Sequence, residues 1–208
     1  MSAGAANRPT VPAVRTATDA EPLVDESDEA LMVQAGAGDH DACHELVRRY
    51  LGCIVAFAGR SLGDRTEAED VAQEVFERLW IHARSWQSGR ARLTTWLHRV
   101  ALNLCLDRLA RRRERPLDDV VEPADSKPSM TTLMQREDVG RCVNRELMTL
   151  PDNQKIAIAL CHYQGLRNIE AAEIMGLSVE ALESLLARGR RTLRSRLRAL
   201  APDLLGES

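Results

Sequence analysis

Apolar residues between Arg92 and Arg115 return at the spacing of an α-helix. In the run RLTTWLHRVALNLCLDRLARRRER, Leu93, Leu97, Val100, Ala101 and Leu104 form one broad face, while Arg92, Trp96, Arg99 and Asn103 follow at intervals of four, three and four along a second stripe. The segment therefore predicts one helix that faces two ways. Arg108, Arg111, Arg112 and Arg113 crowd its last turn and Arg115 follows. Cations there complement the negative end of the helix dipole and also suit phosphate groups. Two readings fit this stretch by itself: a helix laid against nucleic acid, or a core helix with a solvated basic end.

The same periodicity organises what comes before. Residues 1–27 are rich in Ala, Pro and Thr without a helical repeat and predict a disordered arm. Ser27 or Asp28 then caps a helical region in which Leu31, Val33, Ala42, Leu46, Val47, Leu51, Ile54, Val55 and Phe57 recur, with Gly36-Ala37-Gly38-Asp39 dividing a short helix from a longer one. A Gly63-Asp64 turn leads into TEAEDVAQEVFERLWIHARSW. There Ala68, Val71, Ala72, Val75, Phe76, Leu79 and Trp80 make a core stripe, and Glu69, Asp70, Gln73, Glu74 and Glu77 an acidic, amide-bearing outer face. Such a face is either solvated or docked on a basic helix. The polar segment SWQSGRAR, with Gly89, predicts an exposed loop before the Arg92 helix.

Beyond Arg115 the pattern lapses. Residues 116–137 carry Pro116, Pro123 and Pro128 among the acids Asp118, Asp119, Glu122 and Asp125, which predicts a linker between two domains, 28–115 and 138–202, with a tail at 203–208. Helices return at DVGRCVNRELMTL, at DNQKIAIALCHYQGL opened by Pro151-Asp152, at RNIEAAEIMG and from Val179 onward. Taking Ala172 as the small residue of a helix-turn-helix, Gly176 lies four on at the turn, Leu182 ten on and Leu185 thirteen on, with Ser178 capping the second helix. On that helix Leu182, Leu185, Leu186, Gly189, Leu193 and Leu197 face inward. Glu180, Ser184, Ala187, Arg188 and Arg191 project outward, with the reach to enter a major groove where arginine pairs bidentately with guanine.

With only 3% aromatic residues, Leu, Ala, Arg and Glu dominant and no alternation at period two, the 208-residue chain predicts an all-α fold of two small helical domains. The net charge of −3 matters less than its segregation. Acids outnumber bases eleven to four from Asp28 to Glu77, and bases outnumber acids ten to two from Arg78 to Arg115. No window approaches the ~18 apolar residues of a membrane span, and no secretory signal pattern opens the chain, so a cytoplasmic protein is expected. The five cysteines, Cys43, Cys53, Cys105, Cys142 and Cys161, lie inside helical patterns without paired spacing, so reduced core thiols are expected. Cys43-His44 and Cys161-His162 point their neighbours about 100° apart on a helix and lack a CxxC partner, so no metal site is expected. His and Cys form no nucleophile–base arrangement and no glycine-rich phosphate loop is present; neither an enzyme nor a cofactor is expected.

AEDVAQEVFERLW followed by TWLHRVALNLCLDRLARRR resembles the second conserved region of bacterial RNA polymerase sigma factors, most closely the small extracytoplasmic-function (ECF) kind of the sigma-70 family. The resemblance implies that Asp70, Gln73 and Glu74 grip the clamp helices of the largest polymerase subunit. It implies that Trp96, Arg99 and Asn103, with the loop from Trp86 to Arg90, face the promoter −10 element, where a base is captured as the strands separate. The segment from Asp138 resembles the fourth conserved region, which implies that Glu180, Ser184, Ala187, Arg188 and Arg191 meet the −35 element and that this domain meets the polymerase flap. The linker would thread the polymerase channel, and an anti-sigma factor would hold the chain inactive until a stress signal. Two departures stand out: Leu93 replaces a common Phe, and Glu183-Ser184-Leu185 replaces a common Lys-Ser-Arg.

The expected function is that of a transcription initiation factor that brings core polymerase to promoters and opens the duplex at the −10 element. Two alternatives belong to other classes. A decoy that only sequesters an anti-sigma factor has no need of Arg99, Asn103 or the terminal arginines; a stand-alone operator-binding regulator leaves the Asp70, Gln73, Glu74 face idle.

Overall fold

The computed structural model describes residues 26–87, 89, 92–114 and 133–205, with side chains described outside 133–139 and 201–205. Every element among them is helical: α1 (Asp28–Gly36), α2 (His40–Leu62), α3 (Arg65–Ala83), α4 (Leu93–Glu114), α5 (Leu133–Met148), α6 (Asp152–Ile158), a π-helical stretch (Ala159–Tyr163), α7 (Asn168–Met175) and α8 (Val179–Leu205). None is long and apolar enough to cross a membrane. Residues 1–25 of the expected arm and 116–132 of the expected linker lie outside the described residues.

Local chemistry sets the boundaries. The Ser27 hydroxyl accepts from the Ala30 amide at 3.2 Å, the Asp39 carboxylate from Asp41 and Ala42 at 2.9 and 3.2 Å, and the Asp64 carboxylate from Glu67 at 2.8 Å, so each of the first three helices starts on a side-chain cap. α1 to α4 pack as one unit around Leu31, Met32, Leu46, Ile54, Phe57, Val71, Leu79, Leu97 and Cys105, all fully buried. Burial pushes the Cys105 thiol up to about 12, which leaves it an apolar filler. In the second unit α8 packs on α5, α6 and α7, around Ile156, Leu160, Ala171, Leu182 and Leu186.

Three expectations shift. α5 starts at Leu133, inside the stretch read as linker: past Pro128 nothing forbids helix, and Met134, Gln135, Arg136 and Glu137 all favour it. The helix opened by Pro151 does not continue uniformly to Leu166, because α6 widens after Ile158 into the π turn. α8 runs to Leu205, so the tail read at 203–208 begins as helix. Along α4 the expected face is buried at Leu93, Leu97, Ala101 and Leu104, and Val100 is half-buried. Thr95, His98, Leu102, Cys105 and Leu109 are buried too, so α4 is enclosed on more than one side.

The two units also touch. α4 packs on α7, and α2 on α5, α6 and the π stretch. His98 is buried beneath this seam, its Nδ1 2.8 Å from the Thr94 carbonyl and its ring edge-on to Phe57 at 5.6 Å.

Two predictions follow from the packing. A Cβ at Gly36 would lie 2.4 Å from the Ala83 carbonyl, whereas one at Gly52 meets nothing within 4 Å. Gly36→Ala is therefore expected to destabilise the chain by about 1–3 kcal/mol in urea unfolding, and Gly52→Ala to stabilise it by up to about 1 kcal/mol. Burial pushes the His98 imidazole below its ordinary value of 6.5, against Thr94 and Gln164, which favour the protonated ring. The unfolded chain thus takes up this proton first. The contribution of neutral His98 is complete above that ordinary value and is lost as pH falls from there toward the lower folded-state value. The urea midpoint is expected to fall more steeply on acidification in the wild type than in His98→Phe.

Candidate protein and nucleic-acid interfaces

The outer face of α3 exposes Asp70, Gln73 and Glu77 in successive turns. The Gln73 amide donates to Glu77 Oε1 at 2.9 Å. Glu74 is half-buried: it accepts from Arg78 Nη2 at 2.6 Å and lies 3.8 Å from Arg108 of α4. Ion pairs as exposed as Arg78–Glu74 contribute little to stability, so this face keeps an acidic surface that a basic partner can engage at small cost.

The second face belongs to the end of α3 and the start of α4. Trp96 lies flat on His82, ring centroids 4.9 Å apart and planes within 3°, and Trp86 meets the same imidazole edge-on at 5.7 Å. The two tryptophans expected near the −10 element, ten residues apart in the chain, are thus brought together by a histidine between them. Such a half-exposed aromatic group offers stacking area to an unpaired base. Asn103 is exposed farther along the helix. Ser88, Arg90 and Ala91 of the intervening loop lie outside the described residues.

The arginines divide unexpectedly. Arg99 donates through Nη2 to the Glu173 carbonyl at 2.7 Å and lies 3.5 Å from the Glu173 carboxylate, and Arg92 donates to Glu170 Oε1 at 3.0 Å. Both acids belong to α7. At the basic end of α4, Arg112 donates to the Leu62 carbonyl at 2.8 Å and pairs with Glu67 at 2.8 Å, tying the end of α2 to the start of α3. Arg113 pairs with Asp152 of α6. Arg111 is exposed, and Arg115 lies outside the described residues. Much of the charge that the sequence offers to phosphate is therefore engaged inside the chain.

The third face is α8. Gly176 ends α7 with φ +65°, a left-handed turn that suits glycine, and the Ser178 hydroxyl caps α8 by accepting from Ala181 at 3.2 Å. Leu182 and Leu186 are buried and Leu185 is half-buried, while Glu180, Ser184, Ala187, Arg188 and Arg191 are all exposed. The Glu180 amide and the Ser178 hydroxyl hold the Glu180 carboxyl below the usual range, so it is ionised at the helix start. Asn168 Nδ2 joins the two helices through Glu183 Oε1 at 3.1 Å.

Sequence reading missed His82, Glu170 and Glu173. Only His82 carried a signal, standing four before Trp86; the two acids are three apart on α7 and their arginines seven apart on α4, spacings that give no sign of the pairing. Since His82 fixes both rings, His82→Ala is expected to red-shift tryptophan emission and raise acrylamide quenching, and His82→Phe to restore both. Identical spectra for wild type and alanine variant would contradict the packing role.

Family models described as Sigma-70 region 2 and Sigma-70, region 4 match residues 46–115 and 140–193. The chain is 32% identical over 187 residues to the ECF RNA polymerase sigma factor SigW of Bacillus subtilis, covering 80% of this chain and 95% of that protein. It is 30% identical over 172 residues to the ECF RNA polymerase sigma factor SigM of Mycobacterium tuberculosis, covering 81% and 84%. Among solved structures, a chain of the complex of CnrH with the cytosolic domain of CnrY aligns at 30% identity with a TM-score of 0.62, covering 83% of this chain and 97% of that one. A chain of the complex of the sigma factor RpoE with the anti-sigma factor NepR from Bartonella quintana shares the fold, at 22% identity and TM-score 0.58, covering 74% and 96%.

Proposed function

The chain belongs to the sigma-70 family of RNA polymerase sigma factors, in its ECF branch, and from that membership we propose how its surfaces divide the work of initiation. It is a transcription initiation factor whose partners are core RNA polymerase, promoter DNA and an anti-sigma factor. Residues 28–115 hold the polymerase and read the −10 element; the connection between modules runs from 116 to the start of α5 at Leu133; the helices that follow, to 202, read the −35 element. On α3, Asp70, Gln73 and Glu74 meet the clamp helices. Trp86, Trp96, Arg99 and Asn103 meet the −10 element, where the His82-braced tryptophans offer stacking surface for a base leaving the duplex. Glu180, Ser184, Ala187, Arg188 and Arg191 enter the −35 major groove, with the C-terminal module against the polymerase flap. The protein carries out no chemistry itself and acts in the cytoplasm beside the polymerase.

The observation that carries this reading is the separation of an acidic face on α3 from two DNA-suited faces, one of half-buried tryptophans with Arg99 and Asn103 at α4 and one of exposed side chains on α8. A decoy would have no use for the second and third. An operator-binding regulator would have no use for the first.

Transcription from a cognate promoter with reconstituted polymerase tests the assignment. Asp70→Lys combined with Glu74→Lys is expected to abolish retention of core polymerase, and undiminished retention would reject that surface. Arg188→Ala and Arg191→Ala, where each reads a base, are expected to cost on the order of 1–3 kcal/mol of specific promoter binding. Full transcription from the double variant would remove both from the −35 contact.

A further inference from the structure

The Trp86 indole N–H is buried and has no hydrogen-bond partner among the described residues, so packing alone orients that ring. The edge of the His82 imidazole is part of that packing, and its flat face covers one side of the Trp96 indole. His82 itself stands on fixed backbone. Its carbonyl accepts from the Ser85 amide at 2.9 Å and from the Ser85 hydroxyl at 3.2 Å, and the next residue, Ala83, is buried with its carbonyl against Gly36 of α1. Leu93, Thr95 and Leu97, buried around Trp96, fix the start of α4 in the same way. One imidazole thus joins two indoles, one carried by α4 and the other just past the end of α3.

Leu93 stands where the family commonly has phenylalanine, and it is 4% exposed, turned into the core. It offers no ring to DNA. The aromatic group at this end of α4 is completed from the last turn of α3 instead.

We propose that His82 is a positioning residue for base capture, acting through Trp96 and Trp86 and supplying the ring that Leu93 does not. The inference rests on the −10 assignment above. With one face of Trp96 covered, a base leaving the duplex stacks on the other, and both indoles are already held when it arrives. An unbraced indole gives up its rotamer freedom at that moment, which weakens binding about 2–10-fold for each ring. His82 moves that ordering into the folding of the chain. Its contribution therefore depends on a base being there to stack, and is absent where the DNA offers none.

The test uses polymerase reconstituted with the full chain and fluorescence anisotropy on a forked −10 oligonucleotide, intact or with an abasic sugar at each unpaired position in turn. For wild type, one abasic position is expected to lower affinity about 5-fold or more. His82→Ala is expected to bind the intact fork about 3–10-fold more weakly than wild type, and the fork lacking that base equally well. Alanine suits the last turn of a helix and His82 is half-buried, so this variant keeps its fold. His82→Phe retains a flat ring and is expected to restore wild-type affinity. In a Trp96→Ala background the loss from His82→Ala is expected to shrink, because the imidazole acts through the indole. An alanine variant that binds the intact fork like wild type would overturn the proposal. So would a loss that persists undiminished on the abasic fork, or a phenylalanine variant as weak as alanine. Failure of the −10 assignment looks different: no abasic position lowers wild-type binding and Trp96→Ala is silent, whatever His82 does.

Discussion

α4 is required to bury two faces at once, and the architecture follows from that demand. Its first face, through Leu93, Leu97, Ala101 and Leu104, closes the core with α2 and α3. Burial of such side chains stabilises by about 1.5–3 kcal/mol each, which fixes the helix rigidly on its module. Its other side is then committed to whatever the stripe of Arg92, Trp96, Arg99 and Asn103 can hold. In this structure α7 supplies acids there; in an initiation complex DNA would supply phosphates and bases. The rigid mounting on the core fixes where that stripe is presented.

The helical periodicities were legible before any coordinates because they arise from burial against near neighbours in the chain. Ser27 and Ser178 cap helices as expected, Asp39 and Asp64, read as parts of a break and a turn, cap the helices that follow, and the spacing from Ala172 to Gly176 and Leu182 places the helix-turn-helix turn correctly. The spread of burial round α4 was less legible. His98 reads as an ordinary polar residue, yet it is 3% exposed, because Phe57 of α2 and Gln164, just past the π stretch, reach it from distant parts of the chain. Periodicity within one helix carries no record of a second module. The π turn had no signature either: ALCHY is compatible with α-helix, and the widening reflects what Tyr163 and Gln164 reach on α2.

Charge segregation says more about the surfaces of this chain than net charge does, but it overstates how much charge is available. Ten bases against two acids from Arg78 to Arg115 suggested a surface for phosphate, whereas Arg112 bridges α2 and α3, Arg113 reaches α6, and Arg92 and Arg99 reach α7. A run of arginines in sequence is an inventory of donors. Where they point depends on which carbonyls and carboxylates the fold brings near, and the Leu62 carbonyl at a helix end is an acceptor no composition count reveals.

The two acids of α7 are also placed so that parting from α4 would strand few charges. Glu170 accepts from the Arg167 amide at 2.9 Å and from the Arg167 guanidinium at 3.0 Å, both within its own helix start, and Arg167 is the main cause of its depressed carboxyl pKa. Losing Arg92 therefore leaves Glu170 paired and still capping α7. Glu173 is more than half exposed and regains water. Arg92 and Arg99, exposed on the other side, exchange carboxylates for water or phosphate at little desolvation cost. A buried ion pair in their place would bind the modules more stubbornly, since separating it strands charges in an apolar seam. Weak, solvent-exposed pairs over a preformed surface thus add little to the packing that joins α4 to α7.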